Sequence, residues 1–355
     1  MIGSAAGTGW QGPPPREICI VMLSAIGDAV HVLPVANALR RAWPDSRITW
    51  VIQPVAHQLV RDHEAIDDFI IFERRRGLKG LRGFRDIART LKGRHFDLLI
   101  GLQVYLKAGV ITAMTSADVK LGFDTARARD GQWLFTNRRI PAHAPQHVQD
   151  QYFEFLHFLG VEEAPVEWRL TFSEAERERQ AAFFRTMERP VCAVVVSTSK
   201  REKNWDADGY ARVLEEVEST YGMTPVLVGG PSPVERAIAN AVLGATTATV
   251  IDELGDDLRR LAWILEGSAL LISPDTGPLH IGRALGTPVV GLFGHTNPKR
   301  SGPYGVGPDL IVDGYANFPG EEYPIMSAYR DGMKRITVDH VLEKVSLAVE
   351  RHVTG

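Results

Sequence analysis

Residues Ile18–Val35 read ICIVMLSAIGDAVHVLPV. The first part is an unbroken apolar run, the pattern of a parallel strand buried on both faces. A tight turn at Gly27 follows, and the remainder carries a helical pattern. In α/β proteins such a strand-to-helix junction usually holds a phosphate against the free N–H groups of the helix start. Here a carboxylate, Asp28, stands where the anion would sit, and Gly27 is the turn's single glycine. A negative charge at this corner implies a different duty. The positive end of the helix favours an ionised Asp28, ready to accept a proton, with His31 one turn on as a candidate partner. Pro34, early in the same helix, forgoes a backbone hydrogen bond.

The alternation continues outward from this unit. AVHVLPVANALRRAW is helical, RITWVI reads as a strand, HQLVRDH as a helix, and DDFIIF and FDLLIGL as further strands. After about residue 160 the pattern loosens into a connector that contains a helix of mixed charge. A second series then runs through VCAVVVS, YARVLEEVESTYG, TPVLVGG, VERAIANAVLG, ATVID, LRRLAWILEGS, ALLISPD, PLHIGRALG and PVVGLFG. Two doubly wound, Rossmann-like α/β domains facing across a cleft fit this better than one large sheet. The expected boundaries are a tail at 1–15, a first domain at 16–170, a linker at 171–190, a second domain at 191–335 and a terminal helix at 336–355. Ligands in such folds sit beyond the carboxyl ends of the strands, so the strand-to-helix loops are where chemistry is expected.

Bulk composition excludes several function classes. The 355 residues are 45% hydrophobic and 23% charged with a formal net charge of -3, so no global charge points to nucleic acid. The two cysteines, Cys19 and Cys192, each lie in an apolar run, which favours core packing in a reducing compartment over a disulfide. No apolar run approaches the ~18–20 residues of a membrane span. MIGSAAGTGWQGPPPRE lacks the basic start and apolar core of a secretory signal. A cytoplasmic protein is expected.

Four loops carry candidate chemistry. In LLISPDTGPLHIGRALG a strand ends at Ser273, the turn Pro274–Gly277 follows, and Pro278 suits the first helical position. Thr276 and Gly277 would offer N–H groups and a hydroxyl to a diphosphate, with His280 one turn on as a further donor. Equally, Asp275 could be an ordinary helix cap and His280 a packed residue. The Asp-Thr-Gly triplet occurs once, whereas an aspartic protease needs two carboxylates sharing a proton. In VVVSTSKREKNWDADGY, the hydroxyls of Thr198 and Ser199 and the ammonium of Lys203 suit phosphate oxygens. The Asp206-x-Asp208 pair reads as a helix cap rather than a metal site. In TPVLVGGPSPVER, Gly229 and Gly230 allow close backbone approach, and Glu235 could accept from ribose hydroxyls. Finally, FERRRGLKGLRGFRDIARTLKGRHF sets Arg74, Arg75, Arg76, Lys79, Arg82, Arg85, Arg89, Lys92 and Arg94 against only Glu73 and Asp86. That local excess suggests an acidic partner, whether sugar acid, lipid phosphate or anionic bilayer.

Taken together, SAIGDAVHVLPVANALR, STSKREKNW and SPDTGPLHIGRALGTPVVGLFGHTNP resemble the bacterial heptosyltransferases of glycosyltransferase family 9. The match extends in order from about Ile18 to beyond Tyr304. The resemblance implies a GT-B fold, with acceptor bound by the first domain and nucleotide sugar by the second. It implies an inverting transfer of heptose from ADP-heptose, a substrate rather than a cofactor, to the Kdo/heptose inner core of lipopolysaccharide, with no metal. Carried over by position, Asp28 is the general base. Thr198, Ser199, Lys203, Asp275, Thr276, Gly277 and His280 contact the donor nucleotide, and Glu235 holds its ribose. Gly27, His31 and the Arg74–Arg76 cluster serve an acidic glycolipid acceptor, Kdo-lipid A or its inner core. The basic 74–94 segment would also meet the inner face of the membrane. The segment ANFPGEEYPIMSAYRDGMKRIT does not follow the family's pattern. Rival readings are a GT-B enzyme for another nucleotide sugar and a non-catalytic nucleotide- or sugar-binding module. An NAD-dependent oxidoreductase lacks support because the first turn has no Gly-x-Gly-x-x-Gly.

Overall fold

The computed structural model describes residues 10, 12–73 and 80–353. The chain divides into two compact units. The first runs up to Ala144 and resumes at Val148–Thr171; the second comprises Pro145–His147 and everything from Phe172 onward.

The first unit is built from β1 (Glu17–Val21), α1 (Ile26–Ala42), β2 (Arg47–Ile52), α2 (Pro54–Val60), β3 (Asp68–Ile71), α3 (Gly80–Leu91), β4 (His95–Gly101), α4 (Leu106–Met114), β5 (Ser116–Gly122), β6 (Arg138–Arg139) and α5 (Val148–Leu159). All strand pairings are parallel, in the order β3-β2-β1-β4-β5-β6. The second unit follows with α6 (Glu174–Arg185), β7 (Val191–Val194), α7 (Ala207–Ser219), β8 (Thr224–Leu227), α8 (Pro233–Ala245), β9 (Ile251–Asp252), α9 (Leu258–Gly267), β10 (Leu270–Pro274), α10 (Gly277–Ala284), β11 (Val289–Phe293), the short α11 (Pro298–Ser301), β12 (Ile311–Asp313) and α12 (Val338–His352). Its order, β12-β11-β10-β7-β8-β9, is the same permutation. Both are the doubly wound nucleotide-binding order, so the strand order reverses direction between β1 and β4 and again between β7 and β10.

The central strands are apolar throughout because both faces are covered. Cys19 on β1 and Cys192 on β7 lie fully inside these sheets as free thiols. Burial pushes the Cys192 thiol up to about 12 and raises Cys19 further, which leaves both as unreactive core residues. α1 is buried along nearly its whole middle, from Ala29 to Leu39, and it continues through Pro34. Among the described residues, no helix is long and apolar enough to cross a membrane.

Two boundaries differ from the sequence expectation. The span expected as a linker, 171–190, contains α6, and α6 is part of the second unit. Gln180 Nε2 donates to the Trp263 carbonyl at 2.8 Å, and Phe183 packs edge-on against Trp263. Gly267 admits Phe184 so closely that a Cβ there would lie 2.3 Å from the ring. The helix reads as a connector because its outer face is charged, while the face that docks on α9 includes an ion pair instead of a purely apolar stripe. The terminal helix α12 belongs to the same unit, burying Val341, Val345, Ala348 and Val349 in the core shared with Val217 and Leu292.

That ion pair contributes to the acid stability of the second unit. Arg259 Nε and its terminal nitrogen donate to the two Glu176 oxygens at 2.8 and 2.6 Å, and both side chains are almost fully buried. Ser173 closes a capping box on the same carboxylate, and the Phe172 ring lies under the guanidinium at 4.9 Å. The Arg259 hydrogen bonds outweigh desolvation and pull the Glu176 carboxyl down to about 2. A folded-state value below the unfolded one means that stability is fully present above about pH 4.5 and is lost as pH falls towards 2. The shift is worth about 3 kcal/mol at neutral pH. Urea unfolding of wild-type protein and Glu176→Gln between pH 6 and 2.5 should show the wild type losing its advantage over that window. Glu176→Ala should cost ~3–5 kcal/mol at pH 7, since the buried Arg259 loses this carboxylate.

Candidate active site

At the reversal point of the second sheet, β10 delivers Asp275 and α10 begins behind it. Asp275 is not the helix cap. Thr276 holds that position and makes no side-chain capping bond to the helix. The Asp275 carboxylate is instead the hub of a cluster. Lys203 Nζ donates to Oδ2 at 2.6 Å and to the Asp275 carbonyl at 3.1 Å, Thr296 Oγ1 donates to Oδ2 at 2.5 Å, and His280 Nε2 lies 3.7 Å from Oδ1. Burial pushes this carboxyl up, but the His280 contact and the Lys203 ammonium outweigh it and hold the group well below the usual carboxylate range. The residue therefore works as a fixed anion that aims a lysine, a histidine and a hydroxyl at one corner.

The loop after β7 supplies the lysine. Thr198 spends its hydroxyl inside this loop, accepting from the Lys200 N–H at 3.1 Å and donating to the Lys200 carbonyl at 2.8 Å. Its own N–H donates to Asn204 Oδ1 at 2.7 Å. Thr198 thus shapes the loop, while Ser199 at the tip is exposed. Further along the sheet, Glu235 closes the loop before α8: Oε1 accepts from the Gly230 N–H at 2.9 Å and Oε2 from the Ser232 hydroxyl at 2.6 Å. A Cβ at Gly230 would come within 2.8 Å of Glu235 Oε2, so a side chain there would push this carboxylate aside. Asp206 caps α7 through the Gly209 N–H at 2.7 Å. No group of three or more His, Cys, Asp or Glu able to hold a metal occurs among the described residues.

At the corresponding point of the first sheet, Asp28 occupies the first turn of α1, half-buried, and its Oδ2 accepts from the Ala25 N–H at 2.9 Å. Gln103, from the loop after β4, braces the same turn. Its Oε1 accepts from the Leu23 N–H at 3.3 Å and its Nε2 donates to the Ser24 carbonyl at 2.6 Å. Gly27 sits in the helix start beside Asp28. His31 is buried, and the structure gives its ring a packing duty: Nδ1 pairs with Gln149 Oε1 of α5 at 2.9 Å, and Gln149 Nε2 returns to the His31 carbonyl. Arg74, Arg75, Arg76 and Lys79 lie outside the described residues. On α3, Arg82, Arg85 and Arg89 are exposed, as is Lys92 just beyond it, over an apolar underside of Ile87 and Leu91.

Sequence reasoning missed Thr296 and Gln103. Thr296 stands inside the stretch that carried the resemblance, but a threonine has no pattern of its own. Only the fold brings it onto Asp275.

Comparison with known proteins places the chain in a family. A family model described as glycosyltransferase family 9 (heptosyltransferase) matches residues 84–317. The chain is 31% identical over 291 residues to the lipopolysaccharide core heptosyltransferase OpsX of Haemophilus influenzae, covering 82% of each protein. It is 25% identical to lipopolysaccharide heptosyltransferase 1 of Salmonella typhimurium over 81% of this chain and 92% of that one. Among solved structures, a family 9 glycosyl transferase from Veillonella parvula superposes with a TM-score of 0.78 at 23% identity, covering 95% of this chain and 97% of that one. The E. coli heptosyltransferase WaaC with ADP gives 0.75 at 21%, covering 94% and 99%. The fold of the two parallel-sheet units is the GT-B type of these structures.

The Asp275 cluster predicts strong coupling between its members. Lys203→Ala should destabilise the protein by about 2–3 kcal/mol, because it strands a buried carboxylate. Adding Asp275→Asn should recover a large part of that loss. A thermal-unfolding double-mutant cycle checks this; strictly additive effects would contradict the hub.

Proposed function

The chain belongs to glycosyltransferase family 9, and on that premise we propose that it moves heptose from ADP-heptose to the Kdo/heptose inner core of lipopolysaccharide by an inverting, metal-independent displacement. The observation that carries this reading is the Asp275 cluster at the reversal point of the second sheet. A cation, a histidine, a hydroxyl and a helix start converge where doubly wound sheets bind nucleotide diphosphates. The donor sugar and the lipopolysaccharide acceptor are supported by the names of the relatives and by the acidic partner that the basic 74–94 segment calls for.

In this mechanism an acceptor hydroxyl attacks the anomeric carbon of the heptose. The carbon–oxygen bond to the outer phosphate of ADP breaks, the acceptor proton passes to Asp28, and ADP leaves from the opposite face. Charge that grows on the leaving diphosphate is met by Lys203 and by the N–H groups at Thr276 and Gly277. Asp28 suits the role of base because the α1 start favours its ionised form. The Ala25 N–H and the Gln103 brace fix where it stands. Glu235 holds the ribose hydroxyls from a carboxylate that the Gly230 and Ser232 bonds have already oriented.

The exposed cations of α3 extend the reading to location. Arg82, Arg85 and Arg89, with Lys92, form a positive outer face, and each such charge is worth about 1 kcal/mol at an anionic bilayer. The enzyme works as a peripheral protein on the cytoplasmic face of the membrane, where a lipid-linked acceptor is presented.

Two measurements test these statements. Incubation with ADP-heptose and truncated lipopolysaccharide acceptors should give a product heavier by one heptose. Asp28→Asn should lower its rate by ~10²–10⁴-fold while ADP affinity stays near wild type; a fully active variant removes Asp28 from the mechanism. Separately, the wild type should sediment with anionic vesicles at low salt. Replacing Arg82, Arg85 and Arg89 with glutamine should release it without loss of ADP binding.

A further inference from the structure

The segment Tyr315–Gly332 has almost no regular secondary structure, yet it is pinned firmly at the edge of the donor corner. Arg330 lies over the Tyr315 ring at 4.4 Å and pairs with Glu321 at 2.8 Å. Lys299 lies over the Tyr323 ring at 4.4 Å, and the Arg330 N–H donates to the His295 carbonyl at 3.0 Å. Most of this strap lies past residue 317, where the family match ends. It closes a circuit of contacts with the corner. Lys203 reaches Asp275, Asp275 accepts from Thr296, and the adjoining His295 stacks on Tyr329 with centroids 4.7 Å apart and planes 5° from parallel. The Tyr329 ring in turn carries the Lys200 ammonium 5.4 Å from its centroid, and Lys200 stands on the loop that bears Lys203.

The charge balance gives this circuit a purpose. A leaving nucleoside diphosphate carries at least two negative charges. Lys203 shares its charge with the Asp275 carboxylate at 2.6 Å, so it offsets only part of the diphosphate's. A helix start adds only about half a unit. Among the described residues, the Lys200 ammonium is paired with an aromatic face and with no carboxylate. A cation–π contact at an exposed site is weak enough to exchange for a phosphate oxygen, and a charge-assisted hydrogen bond is stronger.

Resting on the donor reading of this corner, we propose that Lys200 is a second diphosphate-binding cation and that Tyr329, its plane fixed by His295, is the positioning residue that holds it ready. In the bound state the ammonium leaves the ring and donates to the outer phosphate, the group on which charge grows as the sugar departs. Tyr329 shortens the search by restricting the lysine to the neighbourhood of its ring.

Calorimetric titration of the full-length chain with ADP, AMP and adenosine tests this. Lys200→Ala should weaken ADP about tenfold or more, weaken AMP less, and leave adenosine unchanged; Lys200→Arg should restore most of the ADP affinity. Tyr329→Ala should weaken ADP a few-fold, whereas Tyr329→Phe should bind as the wild type does, because the ring face and not the hydroxyl carries the contact. Matching thermal unfolding curves for the tyrosine variants establish that folding is intact. An ADP affinity within twofold of wild type for Lys200→Ala overturns the assignment of the cation, and equal weakening in Tyr329→Phe and Tyr329→Ala overturns that of the ring. If the wild type binds no ADP, the donor reading beneath this proposal falls first.

Discussion

A parallel strand that is buried on both faces cannot be joined to its neighbour by a hairpin. The chain must leave the sheet, cross over it as a helix and return. In both units the first strand goes down the middle, the next two are laid on one side, and the fourth is laid on the other. That order obliges two crossovers to depart in opposite directions from adjacent strands, β1 and β4 in one unit and β7 and β10 in the other. The loops at those points diverge, and the space between them is open to a ligand. Gln103 in the first unit, and Lys203 and Asp275 in the second, sit on the segments that follow these strands, and Asp28 in the helix turn that one of them leads into.

The two corners use the same backbone device for opposite electrostatic ends. At the α1 start the carboxylate is itself at the helix terminus, bonded to a backbone N–H, and the α1 N-terminus favours its charge. At the α10 start the carboxylate stands one residue ahead of the cap and is fully engaged by side chains. There it acts as a scaffold for cations rather than as a base. A buried carboxylate that titrates well below the usual range is a poor proton acceptor at neutral pH. The half-exposed Asp28 instead accepts from a backbone N–H in the first turn of its helix. Two aspartates that look alike in the sequence thus stand in different local surroundings.

Much of this was legible from the residues because the fold leaves strong marks. The continuous apolar runs of β1, β4, β7, β10 and β11 reveal parallel strands, and Pro278 and Gly277 reveal a helix start. What escaped was polar or mixed. β5, Ser116–Gly122, holds Asp118 and Lys120 and is only partly buried, so its pattern does not read as a core strand. α6 looked like a solvated connector because its docking face contains Glu176, a residue that is inside only by virtue of Arg259. His31 fell on the face expected to meet an acceptor, but α1 is buried nearly all round, and periodicity cannot say which buried face meets which neighbour. Thr296 and Gln103 act through contacts 21 and 80 residues away, which no local spacing encodes.

The strap at 315–332 shows why an irregular segment can be as well defined as a helix. Without a ladder of backbone hydrogen bonds, its order must come from side chains, and aromatic rings supply large contact areas at a cost of only two torsions each. Tyr315 and Tyr323 pack on each other, and each faces a cation from a different element, Arg330 and Lys299. The Tyr323 hydroxyl is tied to Asp313 at the end of β12, so the strap is anchored to the sheet that also carries Asp275. Such a segment has no hydrophobic period for a sequence reader to find. Its information lies in three tyrosines and Arg330, whose partners become apparent only once the chain has turned back on itself. Tied to β12 through Asp313 and to the loop after β11 through His295, it braces the corner that carries Asp275 without adding a strand to the sheet.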